Sequence, residues 1–216
     1  MTRTNIKPRG YAGDSEMMQQ LYRFEYEGDS IFGKLMHWHV CQSRASQAVR
    51  NRRKLIPEVL RGVQKGFDHL PERGFRIMSL ACGPAWEMQD LFEKGDDFQR
   101  YHLTLLDQDQ EALDEAKSGI LNIEKTKNSY IDVDYLNESV RTMLKTPNLH
   151  KKWGKYHFIY SMGLFDYLTP PVAKAVSRKM FDLLAPGGTL LIGNYHVDHP
   201  DITYMEYWLD WVLYYR

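Results

Sequence analysis

The sequence predicts an α/β fold, a mainly parallel, doubly wound sheet preceded by a helical N-terminal segment. Three observations predict it. From Ser15 to about Leu70 the apolar residues recur at helical spacing; after Pro71 short apolar runs alternate with helical segments; and the first of those runs ends in a turn of small residues that leads straight into a helix. Strands alternating with helices imply βαβ units with right-handed crossovers.

The front half places Met18, Leu21 and Tyr22 on one helical face, Phe32, Leu35 and Met36 on a second, and Ala45, Ala48 and Val49 on a third. Asp14 or Ser15 is placed to cap the first of these helices. The basic run Arg50-Asn51-Arg52-Arg53-Lys54 reads as a solvated helix face. Behind Pro71 the runs Arg76–Ala81, His102–Leu106, Ser129–Val133, His157–Ser161 and Thr189–Gly193 read as strands. Asp109 is the natural cap of a helix beginning near Gln110, and Asn137 and Ser139 stand where they can cap a helix through Leu144. Ala185-Pro186-Gly187-Gly188 is expected to end the helix before the last strand. A terminal helix carries Met205, Trp208, Leu209 and Val212 on one stripe. The division expected is a helical cap over residues 1–70 and a sheet-bearing core over 71–216.

Composition sets the limits. The 216 residues suffice for an α/β domain with a core, and a mean hydropathy of -0.52 with 43% hydrophobic content is that of a globular protein. Met1–Arg9 is polar with no apolar run behind it, so neither a secretory signal nor a spanning helix is read and a cytoplasmic location is expected. The two cysteines, Cys41 and Cys82, are read as reduced thiols, since the second lies in the small-residue turn. Lysine plus arginine balances aspartate plus glutamate at 28 each, which leaves no net field to draw a polyanion and argues against a nucleic-acid substrate.

The chemistry concentrates at Leu80-Ala81-Cys82-Gly83-Pro84-Ala85. Small residues there let a ligand's polar end approach backbone N–H groups at a helix start. The next run ends in Asp107, about 20 residues on, the spacing of a ribose-binding acid in a doubly wound fold. Together they point to a nucleoside. A dinucleotide would want G-x-G-x-x-G for its pyrophosphate; this turn supplies one glycine and a proline. S-adenosylmethionine carries an amino acid in place of a phosphate and needs less clearance.

On the turn, Asp107, Leu136-Asn137-Glu138-Ser139-Val140 and Leu184-Ala185-Pro186-Gly187-Gly188-Thr189-Leu190-Leu191, the chain resembles class I S-adenosylmethionine-dependent methyltransferases. Three further segments, Lys7-Pro8-Arg9-Gly10-Tyr11-Ala12-Gly13-Asp14, Ile159–Leu168 and Gly193-Asn194-Tyr195-His196, are similar to bacterial methyltransferases for 3-hydroxypalmitic acid methyl ester biosynthesis. The resemblance implies a Rossmann-like core, S-adenosylmethionine as cofactor with S-adenosylhomocysteine as product, and O-methylation of a small molecule such as a hydroxy fatty-acid carboxylate. Methylation of a phenol or amine, or a non-catalytic sensor of the cofactor, are the alternatives.

Carried over residue by residue, the backbone at Ala81, Cys82 and Gly83 faces the methionine moiety, with Glu87 one turn into the next helix. Asp107 takes the ribose and Gln108 sits beside the adenine, whose edge meets Asn137, Glu138 and Ser139. Ser161, Met162 and Gly163 lie under the reactive methyl. Tyr11, between two glycines, is the expected lid. Substrate contacts are expected from His39, Tyr160, Phe165, Asp166 and Asn194, and the polar groups nearest the chemistry from Tyr167, Tyr195 and His196, the last having the intrinsic pKa of a base. An ionised carboxylate acceptor needs alignment and desolvation more than a base.

No metal is expected. His37 and His39 with Cys41, and His196 with His199, do not locally reach the ligand count of a zinc site. One departure stands out, because the family's last two strands are not readable before Arg216. An open sheet edge or the C-terminal helix would then offer a surface for homo-oligomerisation.

Overall fold

The computed structural model describes residues 2–10, 12–95 and 98–216. They divide into two compact units, one of residues up to Lys54 with Tyr195–Arg216, the other of Leu55–Asn194.

The second unit holds the sheet. Its strands are β1 (Phe75–Leu80), β2 (Tyr101–Asp107), β3 (Asp132–Asn137), β4 (Tyr156–Ser161) and β5 (Leu184–Ile192), and its helices are α5 (Trp86–Lys94), α6 (Gln110–Lys127), α7 (Val140–Lys145), α8 (Leu149–Trp153) and α9 (Pro170–Asp182), together with the end of α4 (Arg44–Gln64). The strand order is β3-β2-β1-β4-β5, and every pairing is parallel. The chain steps outward from β1 through β2 to β3, then returns to the other side of β1, so the topological switch lies between β1 and β4.

The strands are apolar on both faces because both are covered. Ile77, Leu103, Leu105, Phe158 and Tyr160 pack in one core with α4, α5 and α6, through Ile56, Leu60, Met88, Phe92, Leu113 and Ile120. Met78, Leu80, Leu106 and Ile159 pack in the other against α7, α8 and α9 through Met143, Trp153, Val176 and Met180. This is the doubly wound, Rossmann-like arrangement expected. Asp109 caps α6 by accepting from Glu111 N at 3.1 Å, and α9 begins with prolines whose missing N–H groups a helix start does not need.

Two strands differ from expectation. β3 begins at Asp132, beyond the expected Ser129 start, because Asp132 and Asp134 are tolerated in an edge strand where both meet the His102 ring of β2, at 2.9 and 3.1 Å. Residues 129–131 lead in, and Ile131 N donates to Glu124 Oε1 at 2.8 Å. Ala185–Gly188 does not end a helix, since α9 has already closed at Asp182. Leu184 pairs with Tyr156 and Thr189 with Phe158, so residues 185–188 bulge out between two paired stretches. Gly187 takes φ 77°, and a Cβ on Gly188 would lie 2.9 Å from Tyr156 O, 3.0 Å from Ala185 O and 3.1 Å from His157 O.

The first unit contains α1 (Thr2–Ile6), α2 (Ser15–Arg23), α3 (Ile31–Gln42), the start of α4 and α10 (Ile202–Leu209). Asp14 caps α2, accepting from Met17 N at 2.9 Å, and Ser30 caps α3 through Gly33 N at 3.0 Å. The arginine run is stacked rather than solvated: Arg50 lies 4.8 Å over Phe24, Arg52 4.7 Å over Tyr195 and Arg53 5.5 Å over Tyr22. The stripe expected at the C-terminus is split. Met205 and Leu209 are buried but Trp208 and Val212 are exposed, because the helix stops at Asp210 (φ 47°) and Trp211 turns back, its N donating to Met205 O at 3.0 Å. Residues 195–216 thus belong with the front of the chain rather than with the sheet to which the pattern assigned them. Among the described residues, no helix is long and apolar enough to cross a membrane.

Candidate functional site

The crevice beyond the ends of β1 and β4 is where an open parallel sheet offers a ligand site. The turn that borders it is built from alternating backbone conformations: Ala81 (φ 54°), Gly83 (φ 53°) and Ala85 (φ 50°) are all left-handed. For alanine that costs about 1–2 kcal/mol each, so the surroundings must hold it. They do: Cys82 N donates to Leu106 O at 3.1 Å, Ala85 N to Cys82 O at 3.1 Å and Gln89 Nε2 to Pro84 O at 2.7 Å. Ala81 is exposed, while Cys82 and Ala85 are buried. Among the described residues, a Cβ on Gly83 would meet nothing within 4 Å, so none of them covers its backbone.

Asp107, at the end of β2, ties this turn to the next loop. Its Oδ2 accepts from Gly83 N at 2.8 Å and its Oδ1 from Asp109 N at 3.0 Å. Burial pushes its pKa up against the lowering effect of these amides, and burial wins. Each carboxylate oxygen keeps a lone pair, as a ribose diol would require. Asn137 Nδ2 donates to Asp107 O at 3.3 Å and Gln108 O at 3.2 Å, and Glu138 N donates to Asp107 O at 3.1 Å, so the end of β3 joins the same framework. The Gln108 side chain is exposed. Glu138 pairs with Lys152 at 2.9 Å, which holds its carboxyl below the usual range, and Ser139 caps α7 through Thr142 N at 3.3 Å.

Across the crevice, Ser161 is fully buried, and its Oγ has no hydrogen-bond partner among the described residues. Met162 packs on Gly193, where an added Cβ would fall 2.7 Å from its Sδ, and Gly163 has nothing among the described residues within 4 Å of such an atom. Tyr167 and Asn194 are half-buried. Under the turn, Glu87 accepts from the Tyr160 hydroxyl at 2.6 Å. Burial first, then the Asp107 and Glu87 charges, pushes the Cys82 thiol well up.

Seventeen of the expected site positions therefore lie in the sheet-bearing unit: Ala81, Cys82, Gly83, Glu87, Asp107, Gln108, Asn137, Glu138, Ser139, Tyr160, Ser161, Met162, Gly163, Phe165, Asp166, Tyr167 and Asn194. Not all of them face a ligand. Tyr160 is 1% exposed with its hydroxyl committed to Glu87, and Phe165 is part of the core under α9, so neither offers a surface to substrate. Asp166 is also buried. Tyr195, His196 and His39 belong to the other unit. The Tyr195 hydroxyl donates to Ala45 O at 2.9 Å beneath the Arg52 guanidinium, which makes it a packing residue. His196 is exposed, with Nδ1 accepting from Asp198 N at 3.1 Å, and His39 is exposed edge-on to Tyr204. Tyr11 lies outside the described residues. Ser79, the register partner of Tyr160, was not foreseen; its only signal was a hydroxyl between Met78 and Leu80 near the end of β1.

A family model described as a methyltransferase domain matches residues 77–188. No curated protein sequence matches the chain. Among solved structures, a possible exported protein from Bordetella parapertussis is similar at 20% identity and a TM-score of 0.61, over 85% of this chain and 54% of that one. A SAM-dependent methyltransferase from Geobacter sulfurreducens, in complex with S-adenosyl-L-homocysteine, matches at 15% identity and a TM-score of 0.47, over 71% of this chain and 53% of that one. PKMT2 from Rickettsia typhi matches at 14% identity and a TM-score of 0.45, over 62% and 23%. The chain thus spans about half or less of the length of these structures.

Proposed function

The chain belongs to the methyltransferase-domain family, and from that premise we propose that it binds S-adenosylmethionine beyond the ends of β1 and β4 and methylates a small molecule on oxygen, with a hydroxy fatty-acid carboxylate as the acceptor class. The observation that carries the reading is the bridge between Gly83 N and Asp107 Oδ2, with nothing among the described residues over Gly83. It holds the turn backbone and the Asp107 carboxylate at one fixed spacing, which supports reading the two as one cofactor site. The residues present fit such a cofactor: the turn carries no side chain larger than Cys82 and Pro84, and both of those are buried.

The cofactor, when bound, supplies an electrophilic methyl group. The protein's part is to bind, align and exclude water. Asp107 would accept the ribose hydroxyls on its remaining lone pairs, Asn137 would hold the adenine-side loop through the carbonyls of residues 107 and 108, and Met162 and Gly163 would line the space toward the acceptor. In the sheet-bearing unit the titratable groups closest in sequence to that space are Asp166, buried, and Tyr167, half-buried. That set suits an acceptor that arrives already ionised, and a carboxylate does so at neutral pH.

Titration calorimetry with S-adenosylmethionine and S-adenosylhomocysteine tests the cofactor, with Asp107→Ala alongside. Micromolar binding lost in the variant is the expected result; a folded wild-type chain that binds neither compound refutes it. Mass spectrometry of incubations with hydroxy fatty acids, phenols and amines then identifies the acceptor, and methylation confined to phenols or amines refutes the carboxylate.

A further inference from the structure

Both ends of the turn are tied to β4, one by strand pairing and the other by a buried side-chain hydrogen bond. Tyr160 on β4 donates its hydroxyl to Glu87 Oε1 in the first turn of α5 at 2.6 Å, and Tyr160 is the register partner of Ser79 on β1. Their exposures are 1% for Tyr160, 6% for Glu87 and 1% for Ser79. Ser79 and Glu87 flank residues 80–86, the stretch that holds all three left-handed positions Ala81, Gly83 and Ala85. Tyr160 therefore holds both ends of the strained turn to β4, on the far side of the topological switch, one through its ladder position opposite Ser79 and the other through its hydroxyl on Glu87.

A buried carboxylate is costly, and hydrophobic residues of similar volume usually serve packing as well or better. What this arrangement supplies is geometry. Left-handed alanines persist only where the surroundings over-determine them, and the Ser79–Tyr160 pairing with the Tyr160–Glu87 bond restrains the turn at both ends. We propose that Tyr160 and Glu87 are positioning residues, which hold the turn after β1 in the conformation that accepts the cofactor without themselves touching it. The inference rests on the reading of that turn as the cofactor site.

The test compares Tyr160→Phe, Glu87→Ala and Glu87→Gln with wild type, each checked for fold by near-UV circular dichroism. Two readouts are taken: calorimetric affinity for S-adenosylmethionine and S-adenosylhomocysteine, and amide hydrogen exchange of the ligand-free proteins. A hydrogen bond to a charged acceptor is involved, so Tyr160→Phe and Glu87→Ala should each bind about tenfold more weakly. Their amides at residues 82–87 should exchange about tenfold faster while those of β3 stay unchanged. Glu87→Gln keeps an acceptor for the phenol and should restore both readouts most of the way. Folded Tyr160→Phe and Glu87→Ala proteins with wild-type affinity, or with wild-type exchange at the turn, overturn the proposal. Wild-type protein that binds neither compound while the Tyr160→Phe turn exchanges faster refutes the cofactor reading and supports the tie.

Discussion

Asp107→Ala removes one carboxylate and strands two amides. In the native protein Oδ2 accepts from Gly83 N at 2.8 Å and Oδ1 from Asp109 N at 3.0 Å, at a residue only 8% exposed. A buried donor left without an acceptor costs about 1–3 kcal/mol. Against two such losses stands the relief of a desolvated charge, the same burial that pushes the Asp107 pKa up. The net expected loss is about 2–3 kcal/mol, and at this chain length each kcal/mol moves the melting midpoint by about 2–4 °C, so the ligand-free variant should melt about 4–12 °C lower. Asp107→Asn should lose about half as much, since its amide oxygen can accept from one N–H while its NH₂ opposes the other. The pH dependence has a definite sign. Because the folded-state pKa is raised, the native protein binds this proton more tightly than the unfolded chain; its stabilising effect is present below the ordinary carboxylate value and is lost as pH rises through the folded value. Wild type should therefore gain on Asp107→Asn as pH is lowered from neutrality into that window. The assay is thermal unfolding followed by circular dichroism, at several pH values and without ligand. An Asp107→Ala midpoint equal to wild type would refute the bridge between the two loops.

Gly83→Ala should lower stability by only about 1 kcal/mol, the cost of a left-handed alanine whose methyl meets none of the described residues, yet abolish calorimetric binding of S-adenosylmethionine because its methyl stands where the ligand must approach. Ala81→Gly, exposed and left-handed, should raise the melting midpoint by about 1–3 °C, and a fall would count against the strain assigned to the turn. His157 accepts from Arg76 N at 3.0 Å through Nδ1, and burial, then the Arg76 charge, holds its pKa below the ordinary value. Stability should accordingly fall as pH drops from the ordinary histidine value through the folded one, and His157→Gln should flatten that profile only in part, since His199 is shifted in the same direction. Cys41 and Cys82 are both buried with raised pKa values, so iodoacetamide at pH 8 should label neither in the native protein and both in guanidinium; rapid native labelling of Cys82 would show that its turn opens.

The parts of the fold legible in the sequence are those in which a local pattern and the tertiary structure ask for the same residues. β1, β2 and β4 are apolar because both faces of the sheet are covered, and the turn is small because backbone must be exposed there. β3 was displaced because its two aspartates look like a loop until His102 on the neighbouring strand supplies their partner. The arginine run resembles a solvated face because stacking on Phe24, Tyr195 and Tyr22 joins residues far apart in the chain. Tyr160 and Phe165 were expected at the substrate because aromatic residues near a strand end fit either a cleft or a core. In a sheet covered on both sides the alternation of side chains does not say which. His196 and Tyr195 follow the fifth strand directly, yet the chain leaves the sheet-bearing unit at Asn194.

The bulge at residues 185–188 bears on how an edge strand keeps its alignment. A parallel strand with one neighbour is held by a single ladder, and a slip of one residue would exchange its two faces. β5 cannot make that slip. Gly188 sits beneath the carbonyl oxygens of Tyr156, Ala185 and His157 at distances that admit no side chain, and shifting β5 by one position in either direction would bring Gly187 or Thr189 to that place. Thr189 carries a side chain, and Gly187 would have to give up the positive φ that forms the bulge. The irregularity therefore works as a key in a keyway, and the alignment of β5 against β4 is set by one glycine at its base instead of by a second strand along its open side.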